Sequence, residues 1–304
     1  MKNITALFIA TILLVPTIST LRASALSSSN TSASNPKSST QIAQNSDPEL
    51  QQLDEAQKQA STSVNRIAKD ITVRITSGTN GGSGVPIAKK GNTALGNNQG
   101  AISDFDRKIA IDPQSAEAYY NRGNAKSALG DKQGAISDFD KAISIEPQYV
   151  EAYVNRGVAK AALGNKQEAI IDFDKAIAIN PQLAEAYVNR GNIKSDLGNK
   201  QEAIIDYNRA IAINPQLAQA YANRGFVKSA LGNKQGAIID LNRAIAINPQ
   251  YAKAYINRGI AKLALGNKQE AIADLSRAAE LLRQQGSMDL YQSVTGVIVE
   301  LKGS

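Results

Sequence analysis

The chain has 304 residues, with 34 Lys and Arg against 27 Asp and Glu, and therefore a formal net charge of +7. It contains no Cys and no His, which excludes disulfides, zinc sites of the Cys and His type, haem attachment, Cys–His nucleophiles and any Ser–His–Asp triad. The charge favours an acidic partner, but one Arg and two Lys recur at fixed positions of a repeated unit, so we assign the excess partly to architecture. We predict no catalytic residue, cofactor or metal.

The first 25 residues have the pattern of a secretory signal peptide. Lys2 precedes an apolar run from Ile4 to Ile18, and Ala23-Ser24-Ala25 offers a small-residue cleavage site. A membrane anchor is the alternative, but Pro16 interrupts the run, which is shorter than the roughly 20 residues of a spanning helix. We expect cleavage after Ala25 and a mature protein that is periplasmic or secreted, with no integral membrane span.

Residues 26–62 are rich in Ser, Asn, Thr and Gln and have too little apolar surface to form a core. We expect a flexible linker.

Residues 63–93 have the pattern of a β-hairpin. Ile71 to Ile75 alternates like a strand, Gly78 to Gly84 is a glycine-rich turn, and Val85 to Ala88 can return as a second strand. No Gly-Lys-Ser/Thr follows the glycines, so a β-hairpin is favoured over a phosphate-binding loop.

Residues Val64 to Asn92 also resemble the opening strands of the trypsin-like peptidase domain in bacterial exported peptidase–repeat fusions. The resemblance implies a truncated remnant, since Lys89 to Thr93 leads directly into Ala94-Leu95-Gly96, which matches the end of a repeat's first helix. No catalytic residue can be carried over to a chain without His. An ordinary linker with strand-like alternation is the equal alternative.

From residue 116 to residue 285 the sequence repeats every 34 residues, a period typical of stacked helical hairpins. Three registers keep this spacing, marked by Tyr119, Tyr153, Tyr187, Tyr221 and Tyr255, by Gly123, Gly157, Gly191, Gly225 and Gly259, and by Pro113, Pro147, Pro181, Pro215 and Pro249. In the unit at residues 150–183 we predict a first helix from about Pro147 to Leu163 and a second that ends near Ile179.

The turns between these helices carry their own signals. Gly164 supplies a left-handed residue that ends the first helix, and Asn165 with Glu168 predicts a capping box, as do Asn199 with Glu202 and Asn267 with Glu270. Pro181 is expected to stop one helix and to start the next within its first turn.

The unit resembles the tetratricopeptide repeat (TPR), with Tyr153, Gly157, Ala169, Phe173 and Pro181 in register. The resemblance implies an all-α fold, a right-handed αα-superhelix or solenoid, with five full repeats at residues 116–285. A half repeat at residues 94–115 contributes a second helix from Asn97 to Ile111. Residues 286–304 contain an amphipathic closing helix, Met288 to Leu301, that would cover the last apolar face.

One departure from the family pattern recurs in every repeat. Arg occupies a position where the family commonly has Leu, and an Asp recurs in each second helix; the residues are Arg122, Arg156, Arg190, Arg224 and Arg258, and Asp138, Asp172, Asp206, Asp240 and Asp274. We predict a partly buried Arg–Asp ladder that gives register rather than much net stability. The alternative is a solvated basic stripe for an anionic ligand. The Lys one turn further on, such as Lys160, is expected to extend its stem along the same face.

The candidate binding residues lie on one stripe of the first helices, which the TPR resemblance assigns to the concave face. One Asn per repeat forms a row: Asn121, Asn155, Asn189, Asn223 and Asn257. Because an amide both donates and accepts, such a row can bind a peptide backbone without selecting a sequence. It resembles the asparagine ladder in the repeat superhelix of O-linked N-acetylglucosamine transferases. The alternative is that each Asn only satisfies a neighbouring group.

Two flanking series give the predicted groove a direction. One runs from acidic to basic, through Glu117, Glu151, Glu185, Gln219 and Lys253. The other becomes apolar toward the C-terminus, through Asn124, Val158, Asn192, Phe226 and Ile260. Of these we count Asn124, Asn192, Phe226 and Ile260 as candidate peptide contacts.

The sequence therefore predicts an exported, non-enzymatic scaffold that binds extended segments of proteins or peptides. The alternative is an inactive, peptidase-derived regulator that competes for the partners of an intact peptidase–repeat protein. Nucleic acid is not an expected partner, since the chain lacks interleaved aromatic and basic residues and carries an export signal.

Overall fold

A computed structural model of the protein describes residues 93–303, and the side chains of residues 97–303. The predicted signal peptide, linker and β-hairpin, with its peptidase-like resemblance, lie outside the described residues. Within the described range the chain divides between two compact units, residues 93–258 and residues 259–303. Every regular element described is a helix, which confirms the predicted all-α solenoid class.

The helices of the first unit follow the 34-residue period. They are α1 (Thr93–Ile111), α2 (Ala116–Ala128), α3 (Lys132–Ile145), α4 (Val150–Ala162), α5 (Lys166–Ile179), α6 (Ala184–Asp196), α7 (Lys200–Ile213), α8 (Ala218–Ala230), α9 (Lys234–Ile247) and the start of α10 (Ala252–Leu263). Helices α2 and α3 form one hairpin, and the pairs α4–α5, α6–α7 and α8–α9 form the next three. Helices α1, α3, α5 and α7 each contact the first helix of the following hairpin, so neighbouring hairpins bury their apolar faces against each other.

The predicted glycine turns are present. Gly164 has φ of +88°, and Gly130, Gly198 and Gly232 adopt the same left-handed conformation. The N–H of Asn165 then donates to the Lys160 carbonyl at 2.9 Å, which satisfies a carbonyl in the last turn of α4.

The helix starts differ from the sequence prediction. Pro181 does not open a helix, because Asn180 to Leu183 forms a turn and α6 begins only at Ala184. The Asn180 side chain accepts from the Gln182 N–H at 3.0 Å, and the Leu183 N–H donates to the Asn180 carbonyl at 3.3 Å. Asn followed by Pro is a typical start for such a turn, and this local hydrogen bonding delays the helix.

The predicted capping boxes are wrong. Asn165, Asn199 and Asn267 make no side-chain cap hydrogen bond. Asp131 and Asn233 do cap, accepting from the N–H of Gly134 and Gly236 at 2.8 Å. A Cβ at Gly134 would lie 2.0 Å from an Asp131 carboxylate oxygen, so a side chain at this position displaces the cap.

The core contains one large side chain per second helix, and a glycine of the first helix packs against it. Phe139, Phe173, Tyr207 and Leu241 are fully buried. A Cβ at Gly191 would lie 2.9 Å from the Tyr207 ring, so the close approach of α6 and α7 depends on glycine.

The start of helix α1 differs from the prediction for the half repeat. It begins at Thr93 rather than Asn97 and includes Gly96, which is therefore helical and does not end a preceding helix. In the full repeats the equivalent glycines, such as Gly130, end a first helix by their positive φ.

The second unit contains the end of α10, α11 (Lys268–Gln284) and α12 (Met288–Gly303). The predicted closing helix is present as α12, which packs against α11 and buries Val294, Val297, Ile298 and Leu301. In the part of the chain that is described, no helix combines the length and the apolar character needed to cross a bilayer.

Candidate peptide-binding face

The first helices are held in place by a repeated ion-pair network. In the first full repeat, the Arg122 guanidinium donates to both oxygens of Asp138, from Nε at 2.9 Å and from Nη2 at 2.6 Å. The same two bonds join Arg156 to Asp172, Arg190 to Asp206 and Arg224 to Asp240. These carboxylates are buried, so the predicted Arg–Asp ladder is confirmed in these four repeats and the solvated basic stripe is wrong for them.

The lysines belong to the same network. Lys160 Nζ lies 3.0 Å from Asp172 Oδ2, and Lys126, Lys194 and Lys228 reach their own Asp in the same way. Lys160 Nζ also lies 3.6 Å from Glu168 Oε2. Glu168, which was predicted to complete a capping box, therefore forms an ion pair instead. Each of these four Asp is thus paired with two cations, and the lysines lie on the same face as the Arg–Asp ladder, as predicted.

Each Arg also connects one repeat to the preceding one. Arg122 Nη1 donates to Asp106 at 2.7 Å, and Arg156 Nη1 donates to Asp140 at 2.6 Å. Asn208 and Asn242 accept the equivalent bonds from Arg224 and Arg258. Sequence reasoning missed these partners. Their spacing was a signal, because they lie 16 residues before each Arg and the buried Asp lies 16 residues after it. The hydrogen bond to Asp138 raises the pKa of Arg122, so this guanidinium stays charged.

The first helices of neighbouring repeats also contact each other directly, in the pairs α2–α4, α4–α6 and α6–α8. We call this surface the first-helix face. The predicted asparagine row lies on it, and all five of its side chains are half-buried. They are Asn121, Asn155, Asn189, Asn223 and Asn257.

Two members of the row are hydrogen-bonded to the preceding repeat. Asn155 Nδ2 donates to Asn124 Oδ1 at 2.8 Å and to the Tyr120 hydroxyl at 3.1 Å. Asn223 Nδ2 donates to Asn192 Oδ1 at 2.7 Å. Asn124 and Asn192 therefore orient the next amide of the row. The side-chain carbonyl oxygens of Asn155 and Asn223 accept no hydrogen bond among the described residues.

Asn192 also connects the row to the core. It accepts a second hydrogen bond, at 2.9 Å, from the hydroxyl of Tyr207. Mainly because it is buried, the Tyr207 hydroxyl has a raised pKa. The hydroxyl therefore stays protonated and can donate. Sequence reasoning missed this contact, although a Tyr at a position that holds Phe in two other repeats signals a hydroxyl in need of a partner.

The other candidate residues differ in how much of each side chain is available to a ligand. Asn121 and Asn257 make no side-chain hydrogen bond within residues 97–303 and leave both amide atoms available. Phe226 is half-buried and packs against the core cluster around Tyr207, so part of its ring serves the fold. Ile260 is only 9% exposed, so little of its side chain is open to a ligand.

Charge along the first-helix face follows the predicted series. Glu117, Glu151 and Glu185 are exposed, whereas Gln219 and Lys253 are half-buried. Burial lowers the pKa of Lys253. At the acidic end the rings of Tyr120 and Tyr149 lie 4.9 Å apart. Burial, with added contributions from Tyr120, Glu151 and Glu117, raises the pKa of Tyr149 to about 12.

A tetratricopeptide repeat family model matches residues 116–149, 150–183 and 184–217, and a second tetratricopeptide repeat model matches residues 218–251 and 252–284. The chain belongs to the tetratricopeptide repeat family. Consecutive TPR repeats form protein–protein interaction scaffolds, and the chain has this architecture. Among the described residues of this TPR protein, no cluster of acidic side chains is arranged to hold a metal ion.

Several solved structures are similar to this TPR protein. The crystal structure of TTC0263 from Thermus thermophilus is 21% identical, with a TM-score of 0.53, over 61% of this chain and 100% of that one. A tetratricopeptide repeat protein from Parabacteroides merdae is 23% identical, with a TM-score of 0.53, over 66% and 78%. A crystal structure of MamA is 30% identical, with a TM-score of 0.49, over 54% and 96%. The first two likenesses show the fold. A search of curated proteins found no match.

Proposed function

We propose that this TPR protein is an exported, non-enzymatic scaffold that holds extended polypeptide segments against the asparagine row. The observation that carries the proposal is the hydrogen bonding of Asn155 and Asn223, whose amides are fixed by Asn124 and Asn192 with their carbonyl oxygens left as acceptors. An amide held in one orientation loses little side-chain entropy when a ligand binds, so the row is preorganised.

The spacing of the row suits an extended chain. Packed helices lie about 8–10 Å apart and an extended peptide rises about 3.3 Å per residue, so one row amide would meet a peptide bond at about every third residue. Because the row contacts the backbone, the ligand's sequence would be selected by the flanking positions instead. Glu117, Glu151 and Glu185 favour basic side chains at the α2 end, and Lys253 favours an acidic one at the α10 end.

Export rests on the sequence pattern of residues 1–25. The test is the mass of the protein recovered from outside the cytoplasm. A chain that begins at Leu26 would support export with cleavage after Ala25, and an uncleaved chain retained in the cytoplasm would contradict it.

The binding proposal is tested with the N121A/N257A variant of the protein beginning at Leu26. These two Asn make no side-chain hydrogen bond in the described region, so their removal should affect binding without affecting the fold. The probe is an array of 12-residue peptides with blocked termini, and dissociation constants are measured for those retained. We expect about thirtyfold weaker binding, since two hydrogen bonds are lost and each is worth about 1 kcal/mol.

The matched control is Asn165→Ala, which removes an exposed Asn that makes no cap hydrogen bond and lies in a turn. It should bind as the parent does, and circular dichroism should show equal helix content in all three proteins. Equal peptide affinity for N121A/N257A and the parent would refute the role of the row.

A further inference from the structure

Three exposed isoleucines occupy equivalent positions on consecutive second helices. Ile171 on α5, Ile205 on α7 and Ile239 on α9 have exposed fractions of 57%, 65% and 63%. We call them the isoleucine row. The repeats on either side have Ser137 and Ala273 at this position. Three large, exposed apolar side chains therefore occupy the same helical position on three consecutive second helices.

A cation follows each of these isoleucines by one helical turn. Lys175, Arg209 and Arg243 lie four residues further on, a spacing that places them on the same helical face. All three are exposed and make no ion pair among the residues described.

The carboxylates exposed on these helices are already paired with other cations. Glu168 pairs with Lys160, Glu202 pairs with Lys194, and Asp174 pairs with Arg190. At the positions equivalent to Asp174, α7 and α9 carry Asn208 and Asn242. The only carboxylate on α9 is Asp240, which is buried. The surface around the isoleucine row therefore combines apolar side chains with uncompensated positive charge.

The isoleucines are separate from one another rather than gathered in a groove. Helices α5 and α7 make no direct backbone contact in the described structure, nor do α7 and α9. A partner helix needs a continuous apolar groove, and a second copy of this chain would bring like charges together. A lipid interface accepts separate apolar side chains, each of which inserts on its own while Lys and Arg contact the headgroups.

We propose that the second helices α5, α7 and α9 dock on a bilayer surface rich in anionic lipid. Ile171, Ile205 and Ile239 insert at the boundary between headgroups and acyl chains, and Lys175, Arg209 and Arg243 bind the lipid phosphates. This surface does not involve the asparagine row, so the scaffold can hold a polypeptide while it is bound to a membrane.

The test measures partition onto vesicles of phosphatidylcholine and phosphatidylglycerol in equal parts, with pure phosphatidylcholine vesicles as the neutral comparison. It uses the protein beginning at Leu26, which lacks the apolar run that would itself bind lipid. The I171S/I205S/I239S variant introduces the residue type found at Ser137. Its exposed substitutions should leave the thermal unfolding curve unchanged, and N121A/N257A is the control for a change on the other face.

We expect the parent and N121A/N257A to bind the anionic vesicles and not the neutral ones, and I171S/I205S/I239S to bind at least about tenfold more weakly. A K175Q/R209Q/R243Q variant should also bind more weakly and show a smaller dependence on salt. Equal vesicle binding by the parent and the isoleucine variant would overturn the proposal. Failure of the parent to bind anionic vesicles would also overturn the proposal. This outcome includes the case in which the parent binds an acidic amphipathic peptide through the same residues.

Discussion

The ion-pair network and the asparagine row lie on the same first helices, and the buried Arg–Asp–Lys part of the network is uniform whereas the residues beside the row vary. In four repeats the Arg Nη2 to Asp Oδ1 distance is 2.6 Å, and a Lys reaches the same Asp. The groups beside the row change instead, from Asn124 to Val158, Asn192 and Phe226. The uniform part of the network joins the two helices of each hairpin in the same way, and the variable neighbours give each row amide different hydrogen-bond partners.

The largest expected effect breaks the network. Asp172→Ala removes a carboxylate that is 1% exposed and leaves Arg156 and Lys160 without their shared partner. Loss of one partner from a buried ion pair costs about 3–5 kcal/mol. Urea unfolding followed by circular dichroism measures the change. Asp140→Asn is the control, because Asn208 and Asn242 already accept this bond from Arg, and it should cost under about 1 kcal/mol. Equal losses in the two variants would contradict the distinction between buried and exposed partners.

A smaller effect is expected where the row meets the core. Asn192→Ala removes the acceptor of the Tyr207 hydroxyl and of Asn223, and a buried hydroxyl without a partner costs about 1–3 kcal/mol. The N192A/Y207F double variant should recover most of the loss, because Phe occupies the equivalent position in the repeats with Phe139 and Phe173. The unfolding free energies of the single and double variants provide the measurement. No recovery in the double variant would show that the hydroxyl does not link the row to the core.

The smallest effect concerns alkaline pH at the acidic end of the row. The pKa of Tyr149 is raised to about 12, mainly by burial, so the folded state favours the neutral phenol. A raised pKa gives a stability contribution that is complete below the ordinary Tyr value of about 10 and is lost as pH rises through about 12. Tyr149→Phe should remove one phenolate step near pH 12 from the absorbance titration and leave unfolding at neutral pH little changed. An unchanged titration curve would place Tyr149 outside this environment.

Sequence periodicity predicted the architecture because the signals are local or repeat at a fixed interval. Gly164 ends its helix through its own backbone conformation, and Arg156 and Asp172 recur in register with every hairpin. The failures arise where a side chain has two competing partners. Glu168 pairs with Lys160 of the preceding helix instead of capping the start of its own helix. Pro181 lies in a turn that the Asn180 side chain stabilises, and therefore does not start a helix.

The fine structure of the row could not be read from spacing alone. The bond from Asn155 to Asn124 joins residues 31 positions apart, a separation set by how neighbouring hairpins pack. Ile260 is also buried, although the helical period predicts that its stripe is accessible. The sequence identified which residues form the row, and the structure identified which of its polar atoms remain available to a ligand.

The most direct test of peptide-backbone recognition compares one retained 12-residue peptide with a copy that is N-methylated at every third residue and has the same side chains. Isothermal titration gives the affinity of each peptide for the parent and for N121A/N257A. Our account predicts that N-methylation weakens binding to the parent about tenfold or more, and that it weakens binding to the variant by a smaller factor, because Asn155 and Asn223 keep their acceptor oxygens there. Equal affinity of the two peptides for the parent would show that side chains alone are recognised and would contradict the role assigned to the asparagine row.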